Sequence, residues 1–349
     1  LGIQSIGNDL NPVAGLVARE RTRARTSVQA ATVMAEAKRI AGQVEALRKE
    51  KRPPRYENPR MGQIVPHYAP HLLAELAQWM RLIDTLPRET EPAVRETLRA
   101  VFSASVVKYS NQTSDSTPDA DPVAPTVPKG AVSRFLVAKC EELTRSQTSL
   151  AIRLPKPPPT ARLLQEDARL LPSLGWGEVD VILTSPPYPG TYDYHHQHAL
   201  RLAWLGLDAE ELEAGELASR RELTPPRPAD APAPRPIGKG AQGKGAPGKP
   251  APKAEPAPPP RESWSSGLRD SMVAMARVLK PGGSLYVVLG DWIDNDHAVD
   301  GAAVLRRTAE DKGWKLGSFA SIRREAFSHR ERRAFQKRGK WEHLLQFTR

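Results

Sequence analysis

The chain has 349 residues and a formal charge of +11, and 34 of its residues are proline. A hydrophobic content of 39% is low for one compact domain of this length, so part of the chain is expected to stay unpacked. The charge favours a polyanionic partner, although a basic tail alone would give the same total. The single cysteine, Cys140, excludes a disulfide framework, and no apolar run is long enough for a membrane span, so we expect a cytoplasmic protein.

The first 150 residues are predicted to be mostly helical. A short strand over residues 3–8 leads through an acidic turn at Asp9 into a helix that begins near Pro12. Apolar residues then recur at helical spacing over residues 13–50, which predicts one long helix, and again over residues 70–109.

In the second half of the chain, strands and helices alternate. Strands are predicted over residues 163–167 and 179–183, and a helix over residues 264–279. Residues 220–262 hold 13 of the prolines and nine Lys and Arg against four Asp and Glu, which predicts a disordered basic linker. Further strands are predicted over residues 284–289, 317–321 and 343–348.

This alternation of strands and helices predicts an α/β fold with a parallel or mixed sheet. The expected organisation is the start of an α/β core over residues 1–20, a mostly helical insertion over 21–150, a catalytic part of the core over 151–219, the basic linker over 220–262 and the remainder of the core over 263–349.

The strand over residues 179–183 ends abruptly in the segment Ser185-Pro186-Pro187-Tyr188. Two prolines fix φ and remove two backbone N–H donors, so the strand cannot continue into a paired ladder. A rigid turn with free carbonyls beside an aromatic ring suits the binding of a planar group that carries an NH2, and open α/β sheets bind ligands at this end of a strand. The alternative is a turn that only ends the strand.

Together with Asp167 upstream and the Lys-Pro-Gly-Gly turn at residues 280–283, this motif resembles the catalytic half of the amino-group DNA methyltransferases, which modify cytosine N4 or adenine N6. The resemblance runs in pieces from Ile3 to Arg349. It implies a Rossmann-like methyltransferase sheet, S-adenosylmethionine as cofactor and double-stranded DNA with the target base flipped out. A restriction endonuclease, as the partner in restriction-modification, is a further implication of the resemblance.

The resemblance implies catalytic roles for Ser185, Pro186, Pro187 and Tyr188. Hydrogen bonds from the target amine to the Ser185 side chain and the Pro186 carbonyl would stabilise the charge that develops on the nitrogen. Tyr188 would stack on the flipped base, which contributes about 1–3 kcal/mol, and Pro187 would keep the turn rigid. Methylation at cytosine C5 would instead need a Pro-Cys nucleophile, which the sequence lacks.

Three further residues are implied as cofactor ligands. Asp9, in the pattern Gly-x-Asp-x-Asn-Pro, matches the acid that accepts the ribose hydroxyls, and Asp167 matches the acid that binds the adenine amino group. Thr184 is placed beside them at the end of its strand. The alternatives are an N-cap before Pro12 for Asp9 and a helix cap over residues 168–171 for Asp167.

The family's glycine-rich cofactor loop is expected about 20 residues before Asp9, so the resemblance predicts that it lies upstream of Leu1. Serine at the first motif position favours cytosine N4 over adenine N6. Two alternatives stay open: an RNA base methyltransferase, and a truncated DNA-binding remnant without catalysis.

Other segments carry weaker signals. The helical insertion is a candidate for target recognition, with a lid or dimer surface as the alternative. The basic segment from Arg323 to Lys340 suits phosphate contacts, and a solvated face is nearly as plausible. Residues 192–194 are candidates for the base pocket, with local packing as the alternative. The histidines at 195, 196 and 198 lack cysteine or carboxylate partners at ligand spacing, so no metal site is predicted.

Overall fold

The computed structural model describes residues 3–50, 53–112, 127–159, 161–189, 192–217, 264–294 and 296–349. The predicted basic linker at 220–262 lies outside the described residues. Within the described ranges the protein is mixed α/β, as expected. None of the described helices combines the length and the apolar character needed to cross a membrane.

The strands form two separate parallel or mixed sheets and one small hairpin. They are β1 (Ser5–Asn8), β2 (Ala161–Leu164), β3 (Val179–Thr184), β4 (Leu279–Gly290), β5 (Trp292–Asp294), β6 (His297–Val299), β7 (Lys315–Arg324) and β8 (Lys340–Thr348). β1 and β2 form a parallel pair, and β5 and β6 an antiparallel one. The four-stranded sheet has the order β3-β4-β8-β7, in which β3 and β4 are parallel while β8 is antiparallel to both its neighbours.

Most helices lie in the first half of the described chain. They are α1 (Pro12–Thr22), α2 (Ser27–Leu47), α3 (Met61–Ile64), α4 (Pro70–Asp84), α5 (Pro92–Lys108), α6 (Ala131–Arg153), α7 (Tyr194–Leu205), α8 (Glu210–Gly215), α9 (Trp264–Val278), α10 (Gly301–Glu310) and α11 (His329–Ala334). A 3-10 turn over Val65–His67 follows α3.

The prediction of one long helix over residues 13–50 is wrong, because the chain breaks between α1 and α2. Thr26 starts α2 with a capping box, in which its hydroxyl accepts the backbone N–H of Gln29 at 3.2 Å. Arg25 turns inward at the break and donates to the Gln147 Oε1 at 2.9 Å. The buried Glu20 carboxylate lies 3.5 Å from the Arg25 guanidinium, so the charge buried at this break is paired.

Helices α2, α4, α5 and α6 form a bundle around one large hydrophobic core, and α7 packs into it from the second half of the chain. Trp204 of α7 is fully buried there, with its ring against Tyr56, Tyr68 and Phe102. Its indole N–H donates to the Tyr68 hydroxyl at 3.0 Å. The segment that follows the Ser-Pro-Pro-Tyr turn is therefore fixed to the helical bundle.

The four-stranded sheet is covered on one face by α9 and α10. Leu285, Val287 and Phe347 on that face are buried with Met272 of α9 and Leu305 of α10. Strand period places alternate residues on the opposite face, and there Val181 and Leu183 of β3 are 60% and 72% exposed.

Each predicted strand has a counterpart, although β2 ends at Leu164 and not at residue 167. The elements with no counterpart among the predictions are α3, α7, α8, α10, α11, β5 and β6. The start of α7 explains part of this difference. Its first turn is polar, and Asp193 at the N-cap position makes no side-chain cap hydrogen bond.

Candidate active site

A cavity of about 330 Å³ lies where the carboxyl ends of β1, β2 and β3 come together. Six of the seven residues predicted for the site line it: Asp9, Asp167, Thr184, Ser185, Pro186 and Pro187. Each strand contributes the residues that directly follow it or end it. The apolar wall comes from α9, through Leu268, Met272 and Met275.

The proline turn presents one anchored carbonyl and one free carbonyl. The Trp264 indole N–H donates to the Pro187 carbonyl at 2.8 Å, and the Trp264 ring packs against Trp292 with centroids 5.1 Å apart. The Pro186 carbonyl accepts no hydrogen bond from any residue that the structure describes. An acceptor in a rigid turn at the cavity wall is thus available to a ligand N–H.

Tyr188 is the predicted site residue that does not line this cavity. Its hydroxyl donates to Glu342 Oε1 of β8 at 3.1 Å, and its ring lies against Gly290, where a Cβ would come within 3.0 Å of Cε2. Burial raises the pKa of Tyr188, and a hydrogen bond from Ser185 partly opposes this. The ring is half-buried, so it stands beside the cavity on the side of β4 and β8.

The acidic turn after β1 leaves the Asp9 carboxylate facing the cavity. The alternative of an N-cap role for Asp9 is wrong, since Asn11 caps α1 by accepting the Val13 N–H at 2.9 Å. Asp9 Oδ1 instead accepts the Asn11 N–H at 2.8 Å. Burial raises the pKa of Asp9, which this backbone hydrogen bond partly offsets.

Asn11 also reaches α7, with its Nδ2 2.5 Å from the Nδ1 of His198. His198 lines the cavity, so the turn after β1 and the helix after β3 are joined at the cavity wall. Sequence spacing carries no signal for this contact, because the two residues are 187 positions apart.

Asp167 follows β2 in a tight turn and does not cap a helix, because no helix forms over residues 168–171. Its carboxylate accepts the Arg169 backbone N–H at 2.8 Å and the Arg169 guanidinium at 2.9 Å. Burial favours the neutral acid, but the hydrogen bonds and charge of Arg169 outweigh it and lower the pKa of Asp167. Asp167 is thus a carboxylate whose orientation is fixed by Arg169.

Tyr194 also lines the cavity. Burial, reinforced by neighbouring ionisable groups that include Tyr192 and Asp9, raises the pKa of Tyr194 to about 12. The Tyr192 ring packs against it with centroids 5.5 Å apart. Tyr192 thus packs locally, whereas Tyr194 also forms part of the cavity wall; a role of this segment in binding a base stays a prediction.

The residues that the structure describes contain one group with metal-ligand proximity, formed by Asp291, Asp300 and His343. Arg338 donates to Asp291 at 2.8 Å and lies 3.5 Å from Asp300, so a guanidinium already supplies positive charge to this group. Asp291 also accepts the backbone N–H groups of Gly301 and Trp341, each at 3.0 Å. These contacts make it a structural ion cluster at the end of β4.

Comparison with protein-family models and with curated proteins found no match for this chain.

Proposed function

We propose that this protein transfers a methyl group from S-adenosylmethionine to an exocyclic amino group of a DNA base, with cytosine N4 favoured over adenine N6. The observation that carries the proposal is the convergence of the Ser185–Pro187 turn with Asp9 and Asp167 in one cavity. Each residue follows a different parallel strand, and open α/β sheets bind ligands at the carboxyl ends of such strands. This arrangement supports a Rossmann-like methyltransferase fold.

The cavity fits the cofactor in chemistry. Asp9 offers a carboxylate to vicinal hydroxyls. Burial raises the pKa of Asp9, and hydrogen bonds from ligand hydroxyls would stabilise its charged form. Asp167 keeps its charge through Arg169 and offers its remaining acceptor capacity to an adenine amino group. The apolar side chains of α9 form the wall against which a flat ring would lie. When bound, the cofactor supplies an electrophilic methyl group on a sulfonium.

The proline turn would hold and activate the target amine. The free Pro186 carbonyl accepts one N–H of the amine, and the Ser185 hydroxyl is placed to accept the other, which favours a nitrogen lone pair that is less delocalised into the base. The Trp264 bond to Pro187 keeps this turn fixed, so the amine is held in one orientation. In this proposal a flipped base would stack on the Tyr188 ring, which lies beside the cavity next to the turn.

Cys140 takes no part in this chemistry. It lies buried in the bundle core, and burial raises the pKa of its thiol to about 12, so no thiolate is available to attack a base. The amine of the base is itself the nucleophile in the proposed reaction.

The test measures transfer of labelled methyl groups to mixed DNA and, separately, to mixed RNA. We expect label on DNA, and at least a hundredfold loss in Ser185→Ala, by analogy with the loss of one donor or acceptor at a reacting group. Ser146→Ala, which removes an exposed hydroxyl on α6, is the matched control and should leave transfer unchanged. Transfer to RNA alone would favour an RNA base methyltransferase.

A second candidate is DNA binding without methyl transfer. It is favoured by the interruption of the sheet at the cavity, because β1 pairs with β2 and β3 with β4, with no hydrogen-bonded ladder joining the two sheets among the described strands. Calorimetric titration with S-adenosylmethionine separates the candidates: binding that is lost in Asp9→Asn but kept in Asp180→Asn supports the enzyme, and DNA binding with no cofactor binding supports the second candidate.

A further inference from the structure

The segment between β7 and β8, residues 325–339, projects from the same edge of the sheet as the Ser-Pro-Pro-Tyr turn. β3 is parallel to β4, and β7 shares that direction because two antiparallel pairings separate β4 from β7. The carboxyl ends of β3 and β7 therefore lie at one edge. We call this segment, together with the flanking residues 323–324 and 340, the basic arm.

The basic arm is strongly cationic. It contains eight Lys and Arg against two Glu. Arg332, Arg333 and Lys337 are exposed and make no ion pair with any part of the chain that the structure describes. Phe327, in the same segment, is 76% exposed. Exposed cations without ion-pair partners bind phosphates, and an exposed aromatic ring can stack on a base.

The arm is also fixed to the candidate site. Asp291, with a fully buried side chain at the end of β4, accepts the Arg338 guanidinium and the Trp341 N–H, and its own N–H donates to the Trp341 carbonyl at 2.8 Å. One residue further along β8, Glu342 accepts the Tyr188 hydroxyl and lies 3.8 Å from Arg324. The arm and the motif are thus connected through Glu342, which contacts both Arg324 and Tyr188.

The spacing suits a duplex. Three strand separations of about 4.8 Å place the base of the arm roughly 14 Å from β3, which is close to the width of a DNA major groove, about 12 Å. A base held at Ser185 and a phosphate held at the base of the arm would then be separated by roughly one groove width.

We infer that the basic arm is the surface that grips the DNA backbone while the target base enters the neighbouring cavity. The inference rests on the proposed action on DNA, and it assigns the backbone contact to residues 323–340 and away from the helical insertion. Contacts to phosphates carry no sequence information, so this contact would position the duplex without selecting its sequence.

The experiment compares two triple variants by fluorescence anisotropy on a labelled mixed-sequence DNA duplex of about two helical turns, without cofactor. The first is Arg332→Gln, Arg333→Gln and Lys337→Gln. The control removes three exposed cations of the helical insertion by Arg21→Gln, Lys38→Gln and Arg134→Gln. Both remove the same charge, so a general loss of attraction would affect them equally.

We expect the arm variant to bind DNA at least about tenfold more weakly than the unmodified protein at moderate salt. The magnitude of its slope of log affinity against log salt should fall by roughly two to three, because each phosphate contact contributes about 0.9. The control should keep its slope to within about one. An equal effect in both variants, an effect in the control alone, or an effect only on an RNA duplex of the same sequence overturns the inference.

Circular dichroism spectra of both variants check that the fold is kept. Arm-dependent DNA binding without any methyl transfer would contradict the proposed function and leave this inference standing. Methyl transfer to DNA, together with DNA binding that is unchanged in the arm variant, would support the proposed function and contradict this inference.

Discussion

Replacing Trp204 by alanine tests whether the helix after the candidate site is anchored in the bundle. The side chain is fully buried, so the substitution loses the burial of about 200 Å² of indole surface. This burial contributes about 5 kcal/mol to the free energy of unfolding at 25 cal/mol per Å². Loss of the indole hydrogen bond to Tyr68 adds about 1 kcal/mol, and relaxation around the cavity offsets part of the total. We expect a loss of 3–5 kcal/mol in the free energy of unfolding, within the usual range for Trp→Ala in a core.

The assay is urea denaturation followed by far-ultraviolet circular dichroism, a signal that does not depend on the removed indole. Trp176→Ala is the matched control, because Trp176 is 80% exposed and its loss should change the free energy of unfolding by less than about 0.5 kcal/mol. If Trp204→Ala lies within about 1 kcal/mol of this control, α7 does not pack in the bundle as described.

Three further predictions concern buried ionisable groups. Asp291→Ala should cost about 3–5 kcal/mol in unfolding free energy, because it removes the buried acceptor of the Arg338 guanidinium and of the Gly301 and Trp341 N–H groups, whereas Asp180→Ala, at an exposed ion pair with Lys280, should cost less than about 1 kcal/mol; equal costs would contradict a structural role for the cluster. Cys140 should stay unlabelled by thiol reagents in the native protein and react only on unfolding, since its pKa is about 12, and fast native labelling would speak against its burial. Asp9→Asn should raise the melting temperature at neutral pH. A raised carboxyl pKa means that stability falls as pH rises from the ordinary Asp pKa through the folded one, so the gain should vanish at low pH, and a variant that melts lower at neutral pH would refute this sign.

Much of the candidate site follows from local sequence. Two prolines must end a strand, and an acidic turn after a strand must lie at its carboxyl end, so Ser185, Asp9 and Asp167 are placed by rules that act over a few residues. Parallel pairing brings Asp9 and Asp167 together, but their meeting with Ser185 also depends on how the β1–β2 pair lies beside β3, because no ladder joins these two sheets among the described strands.

The parts that escape prediction depend on partners far away in the chain. The Tyr188 hydroxyl is held by Glu342, which is 154 residues later in the chain. No sequence pattern near Tyr188 indicates this contact. The long-helix prediction for residues 13–50 failed for the same reason, because Arg25 leaves the helical path to reach Gln147, 122 residues away. Local periodicity describes which face of an element is apolar, and it does not describe which distant polar group will draw the backbone out of register.

The pairing of β1 with β2 has a consequence for the order of folding. Ser5 pairs with Ala161, so this ladder closes a loop that contains the whole helical bundle. Closing about 150 residues costs roughly 2.4 kcal/mol more loop entropy than closing ten, unless the intervening chain is already compact. The bundle, whose contacts are more local, should therefore form first and bring the ends of the loop together. The acids of the cavity would then be assembled last, and backbone amides of β1 should gain protection from hydrogen exchange later than those of α2 and α6 during refolding.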